Sequence, residues 1–254
     1  MAAQTPALEL AGLRKAFRDR VAVHGVDLDV PAGSFLGLVG PNGAGKTTLL
    51  SMAVGLLRPD AGRSLVAGVD VWARPEPAWR LLGVLPDGLA LPEWLTGREL
   101  LTYSGRLAGL RAATVAERTE ELLAVMDLLD AERTLVIDYS TGMRKKLGLA
   151  AALLRAPQLL VLDEPFEAVD PVSAATLKAI LRRFVAGGGS VVLSSHVMAL
   201  VEQLCDTVAI LAGGRVVAAG PLDAVRGYTS LEEAFVRLAG VEDRGREGLA
   251  WLSS

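Results

Sequence analysis

Short apolar runs that end in turn-forming or polar residues recur along the chain, and such runs are typical of strands. Three of them are apolar at nearly every central position, at Phe35–Val39, Leu159–Leu162 and Ser190–Ser195. They predict strands of a parallel sheet, because strands covered on both faces carry apolar residues on both sides. Two more strands are predicted near the amino end, at Leu8–Leu13 and Val26–Val30. The pattern therefore predicts an α/β fold.

From about residue 88 to residue 155 the spacing of the apolar positions becomes that of a helix. Leu122, Met126 and Leu129 recur on one face, while the charged residues of this stretch lie elsewhere. We therefore expect an α-helical subdomain, inserted at about residues 88–155 between strands of the parallel sheet.

A glycine-rich loop, Gly40–Thr48, joins the strand at Phe35–Val39 to an apolar helical pattern over Leu49–Leu57. Its glycines let successive N–H groups approach phosphate oxygens, Lys46 adds positive charge, and the hydroxyl of Thr47 can bind Mg²⁺. The next helix directs its positive end toward the same anion. The alternative is a glycine-rich turn that contains a lysine by chance. We predict that phosphate is bound by Gly40, Pro41, Asn42, Gly43, Ala44, Gly45, Lys46, Thr47 and Thr48.

Polar side chains follow two of the predicted buried strands. Asp163 and Glu164 end the strand at Leu159–Leu162, where a buried carboxylate is costly unless it serves a cation or a proton transfer. Asp163 can hold Mg²⁺ through water, and Glu164 can polarise an attacking water molecule. His196 ends the following strand, at the sheet edge where α/β folds gather ligand groups. The alternatives are an ordinary loop start for the carboxylates and a polar strand cap for His196.

Several other residues leave two interpretations open. Phe17 can stack a nucleobase or pack in the core. Trp94, within the irregular stretch Leu89–Leu95, can mark a partner surface or pack under the helices. We expect the basic run Arg144–Lys146 to be a solvated helix face, and Cys205 to be a small core residue.

Composition excludes several classes of protein. With 254 residues, 51% of them hydrophobic, the chain can bury a large core. A net charge of −3 argues against a general nucleic-acid surface, so we expect no nucleic-acid partner. The single cysteine excludes an internal disulfide framework. We expect no signal peptide and no membrane crossing, because no uninterrupted apolar stretch reaches the ~18 residues that a spanning helix needs.

The motifs and their order resemble those of ATP-binding-cassette (ABC) transporter nucleotide-binding subunits, from about Leu8 to Gly240. Two stretches, Tyr139–Ala152 and Leu231–Gly240, look most similar to single-domain ATPases of multidrug, antibiotic or polysaccharide exporters. In the order of the chain, the motifs that carry the resemblance are Gly40–Thr48 (Walker A), Ser140–Met143 (the signature), Leu160–Glu164 (Walker B), Ala168–Asp170 (the D-loop) and His196 (the switch histidine).

The resemblance implies a P-loop NTPase core with a parallel sheet, an N-terminal antiparallel β subdomain and the inserted helical subdomain. It places one ATP-binding domain at residues 1–240, followed by a short tail at residues 241–254. This tail, with Trp251, is too short and irregular to predict an element or a role. It also implies ATP and Mg²⁺ as the bound species.

The resemblance also implies a role for each motif residue. Lys46 and the loop amides would hold the β- and γ-phosphates, and Thr48 the α-phosphate. Thr47 and Asp163 would hold the magnesium ion, and Phe17 would stack on adenine. Glu164 would be the general base, while His196 would contact the γ-phosphate.

In this family two copies enclose two ATP molecules head to tail. Ser140 and Gly142 of one copy would complete the site of the other, with Asp170 at the interface. Here the signature reads Ser140, Thr141, Gly142 and Met143, where the family usually has Ser-Gly-Gly-Gln. The bulkier Thr141 and the apolar Met143 can weaken the contact with the partner's phosphate. Asp87 stands where the family usually has a glutamine that contacts magnesium, so we include it among the metal ligands.

The sequence thus predicts an ATP-hydrolysing motor at the cytoplasmic face of the cell membrane, working with a separate permease and a second ATP-binding subunit, for export. One alternative is a regulatory subunit that binds ATP without hydrolysis, as Asp87 and Met143 suggest. Another is a soluble ABC ATPase that acts on nucleic acid, which the acidic composition disfavours.

Overall fold

The computed structural model of the chain describes residues 5–88 and 90–239. Three positions named above, Leu89, Gly240 and Trp251, lie outside these residues, as does the tail at 241–254. The described ranges form an α/β fold, which confirms the predicted class.

Ten strands occur in the described ranges, and they form two sheets. The six-stranded sheet has the order β10-β9-β3-β8-β7-β6 and is parallel except for β10, whereas the four-stranded sheet, β2-β1-β4-β5, is antiparallel. The bounds are β1 Leu8–Phe17, β2 Arg20–Val30, β3 Phe35–Val39, β4 Ala61–Val66, β5 Val69–Asp70, β6 Leu82–Leu85, β7 Leu159–Leu162, β8 Ser190–Ser195, β9 Thr207–Ala212 and β10 Arg215–Pro221.

Helices cover both faces of the parallel sheet, and three of them, α3 to α5, come from the stretch predicted to be helical. Within this stretch two 3₁₀ turns, Leu129–Ala131 and Val136–Asp138, connect α4 to α5. The helices in the described residues are α1 Lys46–Ala53, α2 Pro75–Leu81, α3 Gly97–Leu107, α4 Ala112–Val125, α5 Thr141–Leu153, α6 Pro171–Ala186, α7 Met198–Leu204, α8 Leu222–Arg226 and α9 Leu231–Ala239.

The two faces of the parallel sheet belong to two separate apolar cores, as strand alternation requires. In β3, Phe35 and Val39 pack into the core formed with the helical segment, while Leu36 and Leu38 pack with α1 and the antiparallel sheet. The sheet is therefore held rigidly from both sides. None of the helices in the described ranges has the length and apolar character needed to cross a bilayer.

Two expectations about individual residues are wrong. Leu129 does not continue the buried face of α4: it is 39% exposed, and the face consists of Val115, Thr119 and Leu123. The helix ends before Leu129 because Asp127 adopts a left-handed conformation, with φ of 54°. The chain then enters a 3₁₀ turn that directs Leu129 outward.

The basic run at Arg144–Lys146 is not a solvated face. Lys146 is buried, and its Nζ lies 3.4 Å from the carbonyl oxygen of Asp127. Arg144 donates to the carbonyl oxygens of Ile137 and Tyr139, and Lys145 donates to another backbone carbonyl described below. These cations bind backbone carbonyl oxygens of irregular segments, a use that charge pattern alone does not reveal.

Candidate functional site

The candidate site lies where three neighbouring strands end. Strands β3, β7 and β8 are adjacent and parallel, with Val39 opposite Ser195 and Leu162 opposite Leu193. The segments that follow them therefore leave the sheet at the same edge. This brings the glycine-rich loop together with the two carboxylates and His196, which follow it by more than 100 residues in the chain.

The glycine-rich loop is packed so closely that a side chain would not fit at two positions. A Cβ on Gly40 would lie 2.2 Å from the carbonyl oxygen of Leu211, and one on Gly45 would lie 2.6 Å from that of Ala22. Gly45 also has φ of 104°, in the region that only glycine adopts readily, and it caps the start of α1. The loop therefore presents bare backbone in front of a helix N-terminus, an arrangement that binds anions.

Lys46 is the first residue of α1, and its side chain is only 7% exposed. Its Nζ donates to the carbonyl oxygen of Gly40 at 2.8 Å and lies 3.6 Å from Oε1 of Glu164. The ammonium group is thus held across the loop, between the backbone and the carboxylate. The carbonyl oxygen of Pro41 also lies 3.4 Å from this nitrogen. A buried ammonium group fixed by these contacts beside the loop amides is well placed to receive a phosphate oxygen.

Glu164 directs its carboxylate toward Lys46 and His196. Oε2 lies 3.0 Å from Nδ1 of His196, and the side chain is 12% exposed. Its backbone is left-handed, with φ of 46°. The carboxylate is therefore held at the cavity wall between two nitrogen groups, where a molecule bound in the cavity can reach it.

Asp163, next to Glu164, is buried and accepts a hydrogen bond from the hydroxyl of Ser194. The same hydroxyl oxygen accepts the backbone N–H of Glu164 at 2.9 Å. Ser194 therefore fixes both acidic residues through one oxygen atom. Within residues 5–88 and 90–239 no cluster of three or more histidine, cysteine or acidic side chains is placed to cage a metal ion. Sparse oxygen donors fit Mg²⁺, which is usually held jointly by one or two carboxylates and substrate phosphates.

A cavity of about 620 Å³ lies in front of these groups, a size typical of small-molecule sites. Its lining includes ten of the residues predicted from the sequence. Four other predicted residues of the same segments, Gly40, Pro41, Ala44 and Asp163, are not part of the lining. The ten that line it are Phe17, Asn42, Gly43, Gly45, Lys46, Thr47, Thr48, Asp87, Glu164 and His196.

Phe17 is the last residue of β1 and stands at the cavity, 48% exposed. The alternative that it packs in the core is therefore wrong. Lys15 Nζ lies 5.8 Å from the centre of the ring and also pairs with Asp60 at 2.9 Å. Lys15, as a hydrogen-bond donor, and the N–H of Ala16 lower the pKa of the Asp60 carboxyl, which keeps this end of the strand anchored at neutral pH.

The signature residues lie away from this cavity. Ser140 caps α5 and accepts the N–H of Met143 at 3.2 Å, and Thr141 is the first residue of that helix. A Cβ on Gly142 would lie 3.6 Å from Oδ2 of Asp170, which places the D-loop beside the signature. Hydrogen bonds from Ser173 lower the pKa of Asp170, so its carboxylate is charged at neutral pH. In the described chain these residues form a separate polar surface.

Asp87 and Trp94 both lie on the surface. Asp87 follows β6, lines the cavity and accepts the N–H of Gly88 at 2.9 Å. Trp94 is 76% exposed, so the alternative that it packs under the helices is wrong. Its neighbour Glu93 pairs with Arg144 at 3.1 Å, which connects this loop to the helix that follows the signature.

Some residues at the site were not expected from the sequence. Arg20 and Glu167 line the cavity, while Ser194 and Lys145 hold the acidic pair from behind. For Ser194 there was a signal: a hydroxyl inside a buried apolar strand needs a partner. For the others the signal is weak, because charged residues on loops and helix starts are common.

Three comparisons with known proteins agree with this geometry. A family model described as "ABC transporter" matches residues 23–167. The daunorubicin/doxorubicin resistance ATP-binding protein DrrA of Streptomyces peucetius is 42% identical over 216 residues, which are 85% of this chain and 66% of that protein. The Nod factor export ATP-binding protein I of a Rhizobium species is 39% identical over 214 residues, which are 84% of this chain and 70% of that protein.

A solved structure, that of an ATP binding subunit of an ABC transporter, superposes on the chain with a TM-score of 0.86. The two chains are 32% identical, and the match covers 91% of this chain and 99% of the other. The likeness therefore extends over both sheets and the helical segment.

Proposed function

This chain belongs to the ABC transporter family, and we propose that it is the ATP-hydrolysing motor subunit of an export transporter whose permease is a separate membrane protein. It works at the cytoplasmic face of the membrane, where its substrate ATP is present. The names of the relatives concern drug resistance and Nod factor export, and these names favour export as the direction.

The observation that carries this proposal is the position of the Glu164 carboxylate, 3.0 Å from His196 and 3.6 Å from Lys46 at one wall of the cavity. A subunit that only bound ATP would not need a proton acceptor there. We therefore assign Glu164 as the general base and His196 as the group that orients it and contacts the γ-phosphate.

The reaction follows from these positions. Lys46 and the N–H groups of Gly43–Lys46 bind the β- and γ-phosphates, and Thr48 binds the α-phosphate, while Phe17 stacks on adenine. Glu164 takes a proton from a water molecule that attacks the γ-phosphorus, the bond to the β-phosphate oxygen breaks, and ADP and phosphate leave. When bound, Mg²⁺ neutralises charge on the phosphates, and Thr47, Asp163 and Asp87 would hold it.

A second copy completes the site. Ser140 and Gly142 lie at the start of α5 and away from their own cavity, so their backbone N–H groups are available to the γ-phosphate bound by a partner. The ATP-bound dimer is then favoured by contacts that exist only while the γ-phosphate is present. Hydrolysis removes those contacts, and the pair reopens.

Hydrolysis tests this function directly. The purified chain should hydrolyse ATP with Mg²⁺, and Glu164→Gln should lower turnover at least about 100-fold while ATP still binds. Glu76→Gln is the matched control, since Glu76 lies on α2 and pairs with Arg80 outside the cavity. Turnover by Glu164→Gln close to that of the wild type would exclude Glu164 as the base.

A regulatory subunit that binds ATP without hydrolysing it is the second candidate. Two departures favour it: Asp87 in place of the usual glutamine, and Met143 in the signature. The same assay separates the two functions, because a regulatory chain would bind ATP yet show no difference between the wild type and Glu164→Gln.

We place permease docking at the loop of Trp94, an exposed aromatic residue in irregular backbone. Trp94→Glu should abolish co-purification with the permease while ATP binding stays normal. Tyr228→Glu, at a second exposed aromatic position, is the control and should leave co-purification unchanged. Normal recovery of the permease with Trp94→Glu would place the docking surface elsewhere.

A further inference from the structure

The side chain of Lys145, on the helix that begins at the signature, contacts the residue that we propose as the general base. Lys145 lies in the second turn of α5, five residues after Ser140 in the chain. Its Nζ donates to the backbone carbonyl oxygen of Glu164 at 2.9 Å. Charge-assisted hydrogen bonds of this kind are shorter and stronger than neutral ones. Lys145 therefore ties the signature helix to the residue that carries the base.

The backbone that Lys145 holds is in an unfavourable conformation. Glu164 has φ of 46°, which is in the left-handed region. A residue other than glycine is uncommon there and is held in place by its surroundings. The N–H of Glu164 donates to Ser194, and its carbonyl oxygen accepts from Lys145 and, at 3.2 Å, from the N–H of Glu167. Of these contacts, only the one from Lys145 comes from α5.

The neighbouring lysine does something different. Lys146 is buried and donates to the carbonyl oxygen of Asp127, within the helical segment, so it stabilises α5 against its own neighbours. Lys145 is only partly buried, and its contact reaches the segment after β7 in the parallel sheet. The two adjacent lysines therefore connect α5 to different parts of the fold, Lys146 to the helical segment and Lys145 to the segment that carries the proposed base.

We propose that Lys145 is a positioning residue: by holding the Glu164 carbonyl, it fixes the left-handed backbone that aims the carboxylate, and it makes that aim depend on where α5 lies. This inference rests on the proposed function. It predicts that the arrival of a partner's nucleotide at Ser140, which moves or fixes α5, also sets the base in the same copy.

The test compares Lys145→Met, which keeps most of the side-chain length without the charge, with Lys145→Arg, which keeps a cationic donor. Under single-turnover conditions with Mg²⁺ and ATP, Lys145→Met should slow hydrolysis at least about tenfold, with ATP affinity within about twofold of the wild type. Lys145→Arg should restore most of the rate. Lys178→Met is the control, because Lys178 Nζ donates a hydrogen bond to the side chain of Gln203 at 3.1 Å and the residue lies outside the cavity.

A second comparison separates positioning from general damage. In a Glu164→Gln background the added Lys145→Met should change the residual rate by less than about twofold, because the group it positions is already disabled. A full tenfold loss in that background would overturn the inference, as would a normal rate for Lys145→Met alone or an equal loss of ATP affinity. Lys145→Gln replaces Lys145→Met if the latter does not fold.

The two proposals fail in different ways. A wild-type chain that hydrolyses no ATP would refute the proposed function and this inference with it. A wild-type chain that does hydrolyse ATP, with Glu164→Gln inactive and Lys145→Met fully active, would refute the inference alone.

Discussion

In the glycine-rich loop, some positions accept only glycine, because neighbouring backbone atoms leave no room for a Cβ atom. Gly45 combines a left-handed backbone with a carbonyl oxygen, that of Ala22, where its Cβ would stand. Gly33 is also left-handed, with φ of 73°, but its Cβ would meet nothing within 4 Å. Substituting alanine at these two glycines therefore distinguishes the energetic cost of a left-handed backbone, present at both, from the cost of steric overlap, present only at Gly45.

We expect Gly45→Ala to destabilise the chain by about 1–3 kcal/mol and to abolish ATP binding, because the loop must move away from Ala22. Gly33→Ala should cost about 1 kcal/mol through its backbone alone and should leave ATP binding unchanged. Urea unfolding and equilibrium ATP binding measure the two effects. Normal ATP binding by Gly45→Ala would contradict the assigned role of the loop.

The single cysteine offers a test of the core. Burial raises the pKa of the Cys205 thiol far above its ordinary value, and the nearby Asp206 adds to the effect. A raised folded-state pKa means that the neutral thiol favours folding below pH about 8.5, and that this contribution is lost as the pH rises further.

Iodoacetamide should therefore label native Cys205 far more slowly at about pH 8 than it labels the urea-unfolded chain, because only the thiolate reacts. Mass spectrometry of the labelled chain reports this residue alone, since the sequence contains no other cysteine. Equal labelling rates in the two states would show that the thiol is accessible.

At the residue scale, the sequence predicts the residues that line the cavity better than the residues that hold them in place. Lys46, Glu164 and His196 stand in a glycine-rich loop or directly after apolar strands, so residues close to them in the sequence indicate their position. Ser194 and Lys145 matter because of contacts made 30 and 19 residues away in the chain, and no spacing rule indicates such pairs.

At the scale of elements, helix ends are set by capping groups and left-handed residues. In α3 the side chain of Thr96 accepts the N–H of Glu99 at 3.2 Å, and the N–H of Thr96 donates to Glu99 at 2.9 Å. This capping box orients the first helix of the inserted segment. The N–H of Thr96 also lowers the pKa of Glu99, so the box persists at neutral pH and is lost only on strong acidification.

Thr96→Ala should lower the free energy of unfolding by about 1 kcal/mol, because the N–H of Glu99 loses its acceptor. Thr176→Ala is the matched control: its hydroxyl bonds to Val172 within α6 and caps nothing, so we expect a change within about 0.5 kcal/mol. Urea unfolding measures both variants. Equal losses for the two would show that the box has no special role.

Element types follow from the sequence, but their lengths do so less well. The strand at Phe35–Val39 has the predicted bounds, because a buried central strand is apolar throughout. Strands β1 and β2 extend beyond the predicted ranges to meet at Phe17 and Arg20, since ladder hydrogen bonds there continue through polar residues. The first helix begins at Lys46, inside the loop, because Gly45 turns the chain into it.

At the scale of the whole molecule, parallel strand order is what assembles the site. Residues from β3, β7 and β8 meet because these strands are neighbours and run the same way, an order that the sequence alone does not give. The same fold places Ser140–Met143 on a surface away from the cavity. The cavity and the signature residues therefore lie at separate places on one chain, and this separation supports the proposal that a second copy completes the site.

The most direct test of this account is the mass of the Glu164→Gln variant in sedimentation velocity, with Mg²⁺ and either ATP or ADP. In the proposed mechanism the γ-phosphate contacts the loop of one copy and the signature of the other, so the variant should sediment as two copies with ATP and as one copy with ADP. A single copy at saturating ATP would contradict the claim that a second chain completes the site.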